Sequence, residues 1–248
     1  MATRIASSFE FGYLIAALSL LGVSGVIWLA LYAILKFGFS PHARQSLAKF
    51  DHLVLGGLVV ASLLPIQMAS SAAVFGAAVY LLFTSTSGQP LWRVAVVALA
   101  TTGPLLWGPL SLSLLGPEIT RIEALIVGTV TGLPTHGNVY LAVDGHTTFI
   151  VAGGCSALAN ISLTLLVTAV LTQLLDIPLS RRLVPVVLTA VLATIAVNSA
   201  RLAAVGYFPQ HFEYLHVGFG RQLFGWAGLI AMGAVVGFGL YRAARPAD

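Results

Sequence analysis

Long apolar stretches that carry almost no charge most restrict what this chain can fold into. Only 8% of its 248 residues are charged, whereas 58% are hydrophobic, and the mean hydropathy is +0.96. A soluble domain keeps roughly a quarter of its residues charged, so this chain has too few charges to cover a surface that faces water. The bilayer is therefore the predicted solvent, and the length allows about eight spans of ~20 residues.

The charge and cysteine content exclude several classes of function. In a chain this apolar, the formal net charge of +4 indicates membrane orientation rather than nucleic-acid binding, because basic residues collect in cytoplasmic loops. The single cysteine excludes an internal disulfide and argues against a multi-cysteine metal site. We expect no metal, no cofactor and no nucleic-acid partner.

The hydrophobic pattern predicts an all-α polytopic membrane protein with about seven or eight transmembrane helices. Pro117–Leu133 predicts a short helix that either crosses the bilayer or lies in its interface, which leaves the number of spans open. We expect one integral membrane domain, with N-terminal helices over 1–116 and a C-terminal core over 117–248. The other predicted helices are Phe11–Leu35, two short helices within Leu53–Phe83 that break near Pro65, Leu91–Leu115 with kinks at Pro104 and Pro109, Cys155–Leu175, Val184–Val205 and Val217–Tyr241.

A small β-hairpin interrupts the helical pattern before Cys155. The strand-like runs Val139–Val143 and Thr147–Val151 flank the turn Asp144-Gly145, and Thr135–Asn138 reads as a further turn. An open sheet edge cannot face lipid, so we expect the hairpin outside the membrane. The basic pairs Arg181/Arg182 and Arg242/Arg245 predict the cytoplasmic ends of their helices. The hairpin and Cys155 then lie on the extracytoplasmic side.

Three residues with complementary chemistry are predicted to meet on that side. Cys155 begins one predicted helix, Arg201 lies near the end of the next, and His216 begins the last. A histidine can take the thiol proton and return it to a leaving amine, and an arginine can stabilise an oxyanion. Cations and helix N-termini favour the thiolate form of cysteine. Asn198, one helical turn before Arg201, could orient it.

Each of these residues alone also has an ordinary structural explanation. A lone membrane cysteine usually packs as a small apolar residue, a histidine can sit in the interface, and arginines near helix ends extend towards the headgroups. Arg201 differs because several helical residues follow it, and a charge held at that depth indicates function. The coincidence of the three on one face therefore predicts an acyl-transfer site.

At these positions the chain resembles the exosortase/archaeosortase family of membrane cysteine transpeptidases. The resemblance covers roughly Glu118–Tyr241 and departs from the family at Ala157, where a glycine is common, and at Gly153, where an acidic residue is common. It lies in the hairpin segments Gly137–Tyr140 and Phe149–Val151, in Ala152–Leu158 around Cys155-Ser156-Ala157, in Asn198-Ser199-Ala200-Arg201, which is similar to the family's Asn-x-x-Arg, and in His216–Gly220, which is similar to its His-x-x-x-Gly.

The resemblance implies a specific activity. Substrates of this family are exported proteins with a C-terminal sorting signal, which is a short motif such as Pro-Glu-Pro, a membrane helix and a basic tail. The resemblance implies that Cys155 is the nucleophile and forms a thioester, His216 the general acid and base, and Arg201 the oxyanion or substrate-orienting group, with Asn198, Ser156 and Gly220 in support. An acceptor nucleophile of unknown nature then receives the cleaved protein. We expect an inner-membrane protein with its active site on the extracytoplasmic face.

Other residues suggest rival sites. His211 competes with His216 for the histidine role, and Glu213 could orient either ring. Ser156 could cap the helix after Cys155 or donate to an oxyanion. His136, Asp144 and His146 could suggest a metal site, although polar turn residues explain them. Gly22-Val23-Ser24-Gly25 matches the Gly-x-Ser-Gly of rhomboid proteases, but packing of small residues between helices explains it better. By position, the hairpin and the Gly206–Leu215 loop would border a substrate cleft.

Two other functions use the same helices. The chain could be a transporter with Arg201 and Asn198 beside the substrate path, but it shows no clear inverted repeat. It could also be a non-catalytic assembly factor that keeps the fold.

Overall fold

The computed structural model describes residues 24–41, 49–64 and 66–245. Helices make up 78% of these residues, and a small sheet of three strands completes the secondary structure. The helices are α1 (Gly25–Gly38), α2 (Lys49–Leu63), α3 (Gln67–Thr84), α4 (Pro90–Thr102), α5 (Gly108–Thr131), α6 (Leu158–Leu174), α7 (Leu183–Tyr207), α8 (Phe212–His216) and α9 (Phe219–Ala243).

The helical, membrane-type architecture is confirmed in its coarse form. Within the described ranges, three helical stretches are long and apolar enough to cross a bilayer, namely Pro90–Thr131, Leu183–Tyr207 and Phe219–Ala243. Shorter apolar helices cover Gly25–Gly38, Phe50–Leu63, Met68–Thr84 and Leu158–Leu174. These helices are compatible with a membrane protein, while the figure of seven or eight spans stays a prediction.

The first of two compact units comprises residues 1–105 and 169–178. Its described part contains α1–α4, with α1 and α3 packed against α4 and α2 against α3. Arg93 on α4 forms an ion pair with Asp176 and donates to the carbonyl of Gln173. The break that the sequence predicts near Pro65 is confirmed, because α2 ends at Leu63 and α3 begins at Gln67. Residues 11–23 of the predicted first helix, which include Gly22 and Val23 of the Gly-x-Ser-Gly motif, lie outside the described residues.

The second unit comprises residues 106–168 and 179–248 and contains the predicted core. Its main packing is between α7 and α9. A Cβ atom on Gly239 would lie 2.4 Å from Val186, and one on Gly228 would lie 3.7 Å from Val197. Because the contact moves towards the end of α7 as it moves towards the start of α9, the two helices are antiparallel. The last turns of α7 and the first turns of α9 therefore lie at the same end of the unit.

The prediction that a helix starts at Pro117 is wrong. Pro117 lies inside α5, which runs unbroken from Gly108 to Thr131. The proline ring removes one backbone donor, and the Thr120 hydroxyl donates to the carbonyls of Gly116 and Pro117 at 2.8 and 3.2 Å. The carbonyl that loses its N–H partner is that of Ser113, four residues before the proline, and α5 nevertheless continues through this point. Proline is more frequent in membrane helices than in soluble ones. The irregularity expected at Pro104 appears as a π-helical turn over Gly103–Trp107.

The predicted hairpin forms, with one strand more than expected. β1 (Thr135–His136), β2 (Val139–Leu141) and β3 (Thr148–Ile150) make an antiparallel sheet in that order. Thr135 and His136 were expected in a turn, but they pair with Tyr140 and Val139. Gly137, with φ of +61°, allows the tight two-residue connection that sets this register.

Both chain segments at the predicted site start their helices later than expected. Cys155 ends a 3₁₀ turn over Gly153–Cys155, and α6 begins only at Leu158. His216 ends the short helix α8 instead of starting α9, because the Glu213 carbonyl accepts the N–H groups of Val217 and Gly218 at 3.1 and 2.8 Å and closes α8. The sequence predicted that Cys155 and His216 each begin a long helix, and neither residue does.

The contact between Gly239 and Val186 gives a test of the α7–α9 packing. We expect Gly239→Ala to lower the free energy of unfolding by about 1–3 kcal/mol, because the added methyl overlaps a stiff β-branched side chain. The measurement is unfolding in mixed micelles. Gly237→Ala is the matched control, since a Cβ there has nothing within 4 Å. Equal stability of the two variants would contradict the packing.

Candidate active site

The thiol of Cys155 and the imidazole of His216 lie side by side. Sγ of Cys155 is 3.8 Å from Nε2 of His216, and only 8% of the Cys155 residue is exposed. Cys155 comes from the turn before α6 and His216 from the end of α8, so tertiary structure brings them together across 61 positions of sequence. This distance lets the ring exchange a proton with the thiol.

The backbone of Cys155 is held by two side chains of α7. Nδ2 of Asn198 and Nη2 of Arg201 both donate to the Cys155 carbonyl oxygen, at 3.0 and 3.1 Å. Asn198 was expected to orient Arg201. Instead the two residues share one acceptor, which fixes the main chain that carries the thiol.

Glu123 on α5 holds the segment that follows Cys155. Its Oε1 accepts the Ser156 hydroxyl and the Ala157 N–H, both at 2.8 Å. Oε2 is buried and has no hydrogen-bond partner among the described residues, and the same is true of Nε of Arg201. The carboxylate and the guanidinium attract each other electrostatically, which offsets part of the cost of burying two charges.

Two roles were predicted for Ser156, capping the following helix or donating to an oxyanion, and its contacts are those of a helix cap. Its Oγ accepts the N–H of Leu158, the first residue of α6, at 3.1 Å while it donates to Glu123. A hydroxyl in this position satisfies one of the N–H groups that lack a partner at a helix start. Glu123, Ser156 and the beginning of α6 thus form one connected arrangement directly after Cys155.

A stack of aromatic rings supports the His216 imidazole. The Phe212 ring lies 4.8 Å from the His216 ring at an angle of 14°, and the Phe149 ring of β3 stacks on Phe212 at 5.3 Å. Tyr140 contacts Phe149 and donates its hydroxyl to the Leu202 carbonyl at 2.9 Å. Burial raises the pKa of Tyr140, so its hydroxyl stays a neutral donor. The sheet therefore connects α7 to the histidine.

Burial and two neighbouring arginines lower the pKa of the His216 ring. Partial burial lowers the pKa of His216 below its usual value, and the positive charges of Arg201 and Arg221 lower it further, whereas Glu213 acts in the opposite direction. A lowered pKa means that the ring stays unprotonated to a lower pH. Neutral imidazole is the form that accepts a thiol proton.

Gly220 lies in close contact with the backbone of α8. A Cβ atom there would lie 2.8 Å from the Tyr214 carbonyl oxygen and 3.0 Å from the Leu215 Cα. A larger residue would push the start of α9 away from α8. The supporting role of Gly220 is therefore to let the segment that carries His216 lie against α9.

A cavity of about 270 Å³ adjoins the cysteine turn between α6, α7 and α9. Gly154 and Ser156, the neighbours of Cys155, line it. Its polar lining includes Asn160, Asn198, Arg201 and Arg221, and its apolar lining includes Leu163, Phe224, Leu229 and Met232. The hairpin and the Gly206–Leu215 loop, which were expected to border a cleft, do not line this cavity. They support the His216 ring through Phe149 and Phe212.

The rival residues lie elsewhere. His211 is exposed, and it is His216 whose ring reaches Cys155. Asp144 accepts the N–H groups of His146 and Thr147 and the Thr147 hydroxyl. These contacts, with the Thr147 hydroxyl first, lower the pKa of Asp144 to about 2. Across the described ranges, no group of three histidine, cysteine or acidic residues is arranged to hold a metal.

Sequence reasoning missed Glu123, Arg221 and Phe212. Glu123 lies two residues after Arg121 on α5, but Arg121 pairs with Glu118, at 2.8 Å. The available signal was that Glu123 has no basic residue three or four positions away on an apolar helix. Phe212 gave no signal, because its role depends on how α8 folds against β3.

The chain was compared with protein-family models, with curated proteins and with solved structures. None of the three comparisons finds a match.

Glu123 gives a first test of the site. We expect Glu123→Ala to lower the free energy of unfolding by about 1–3 kcal/mol, because the Ser156 hydroxyl and the Ala157 N–H lose their acceptor. Glu123→Gln keeps a side-chain oxygen that can accept a hydrogen bond, so it should lower the free energy of unfolding by less. Unfolding in mixed micelles measures both. The control is Glu118→Ala, which removes only an exposed ion pair worth about 0–1 kcal/mol. A loss no larger than that of the control would contradict the role of Glu123.

The pairing of thiol and imidazole gives a second test. The chain has a single cysteine, so the mass added by iodoacetamide reports on Cys155 alone. We expect His216→Ala to slow this alkylation by about tenfold or more, since the ring no longer accepts the thiol proton. His211→Ala, at an exposed histidine of the same loop, should leave the rate unchanged. Equal rates in both variants would exclude His216 as the partner base.

Proposed function

We propose that this chain is a membrane-embedded cysteine peptidase or transpeptidase, similar in its chemistry to exosortases and archaeosortases. The observation that carries the proposal is the 3.8 Å approach of the Cys155 thiol to the His216 imidazole. A cysteine that only fills space in a helix bundle needs no histidine beside it and no pair of donors on its carbonyl. Cys155 has both.

The proposed reaction follows from these positions. The neutral ring of His216 takes the thiol proton, and the Cys155 sulfur attacks a peptide carbonyl carbon. As the tetrahedral intermediate collapses, the carbon–nitrogen bond breaks and His216 returns the proton to the leaving amine. The product is a thioester on Cys155. Water or an acceptor amine or hydroxyl then attacks the thioester and releases the sulfur, again with His216 moving the proton.

Arg201 serves this reaction in two ways. Its Nη2 contact with the Cys155 carbonyl fixes the nucleophile, and its guanidinium also lines the cavity next to the cysteine turn. A positive charge there stabilises any negative charge that develops on the substrate oxygen. Gly154 and Ser156, on either side of Cys155, line this cavity, and its volume has room for a short stretch of substrate.

The proposed substrates are exported proteins whose C-terminal sorting signal combines a short motif, a membrane helix and a basic tail. The site belongs to the end of the unit opposite the basic residues at the start of α7 and the end of α9. By the positive-inside rule, those arginines favour the cytoplasm. We therefore assign Cys155 to the extracytoplasmic face of the inner membrane, with seven or eight spans in total.

Processing of a sorting-signal substrate tests this proposal. Cells would express the full chain with a tagged protein that ends in motif, apolar helix and basic tail. We expect full-length substrate to accumulate with Cys155→Ala and processing to continue with His211→Ala, because only the first removes the nucleophile. Cys155→Ser should retain uncleaved substrate in a complex. Immunoblotting of the tag measures each outcome, and processing by Cys155→Ala at the normal rate would refute the proposal.

A further inference from the structure

A groove lies between the start of α7 and the end of α9, at the end of this helix pair opposite Cys155. Its volume is about 680 Å³, within the range of small-molecule binding sites. Its walls are mainly apolar, with Pro185, Val186, Val235 and Phe238 among the lining residues. Along α9 the lining runs from Ala234 to Ala243, about 14 Å at the rise of an α-helix.

Two arginines line the groove near its end. They are Arg182 at the start of α7 and Arg242 in the last turn of α9. The Arg242 guanidinium lies 4.7 Å from the Phe238 ring centroid, which holds the charge over an apolar wall. In the described part of the chain, the carboxylates that form ion pairs are Asp176 and Glu118, and neither pairs with these arginines. Within the described residues, the groove therefore carries two positive charges that form no ion pair.

We propose that this groove binds the phosphate group and one acyl chain of an anionic membrane phospholipid. Arginine matches phosphate through two parallel N–H···O contacts. Lipid headgroups lie at the depth where membrane helices end, which is where Arg182 and Arg242 sit on α7 and α9. The large side chains Val184, Leu188 and Phe238 are more than half exposed around it, as expected for residues that face lipid. A soluble anion would gain nothing from the apolar length of the groove.

This site is separate from the proposed chemistry. None of the groove residues lines the cavity beside Cys155. Lipid binding would stand even if Cys155 proved unreactive, and loss of lipid would leave alkylation of Cys155 unchanged. The two proposals can therefore fail independently.

Native mass spectrometry of the purified full chain tests the site, with phosphatidylglycerol as the probe and phosphatidylcholine as the neutral comparison. We expect one phosphatidylglycerol to bind more tightly than phosphatidylcholine. Arg182→Gln with Arg242→Gln should weaken that binding by about tenfold or more. The matched control is Arg181→Gln with Arg245→Gln, which removes the same charge from neighbouring positions that do not line the groove. The affinity of this control variant for phosphatidylglycerol should stay within about twofold of that of the original chain.

A second pair of variants tests the acyl chain. Ala234→Trp fills the groove while both arginines remain, and should also weaken phosphatidylglycerol binding. Ala227→Trp, on an exposed part of α9 outside the groove, should not. Equal losses in the two arginine pairs would indicate diffuse surface charge and overturn the proposal. If inorganic phosphate displaces phosphatidylglycerol and Ala234→Trp does not weaken its binding, the groove binds free phosphate and not a lipid. That result would also overturn the proposal.

Discussion

The carbonyl oxygen of Cys155 is the point on which the candidate site depends. Cys155 lies in a 3₁₀ turn before α6, so its backbone lacks the continuous hydrogen bonding of a helix. Asn198 and Arg201 supply two donors to that carbonyl, and Glu123 accepts from the two residues that follow. Buried backbone groups without partners are costly, above all inside a membrane protein. These three side chains therefore fix the turn and with it the direction of the thiol.

The same contacts explain how charged residues persist in an apolar chain. Arg201 and Glu123 each retain one buried polar atom without a hydrogen-bond partner in the described structure, so their mutual attraction and their backbone contacts offset desolvation only in part. Apolar residues at these positions would leave the Ala157 N–H without its acceptor and the Cys155 carbonyl with one donor fewer. The pair therefore stabilises the turn, and its charges also lie next to the proposed reaction site.

The antiparallel packing of α7 and α9 organises both ends of the second unit. Gly239 lets the helices approach at the basic end, and Gly220 lets α9 approach α8 at the cysteine end. One end presents a thiol, an imidazole and a guanidinium, and the other presents two arginines over an apolar groove. The helix pair thus separates a proposed reaction from a proposed lipid contact.

Sequence patterns indicated a helical, membrane-type protein and predicted the residues of the candidate site. Apolar runs indicated helices because the bilayer requires them, turn residues indicated the hairpin, and the order of helix ends brought Cys155, Arg201 and His216 to one face. Local signals failed where tertiary contacts replaced local partners. Pro117 has the local signal of a helix start, yet α5 continues through it. Glu123 binds the turn at Ser156 and Ala157, and only the tertiary structure brings that turn to α5. Sequence therefore decided which residues could react, whereas long-range hydrogen bonds and packing decided which atoms meet.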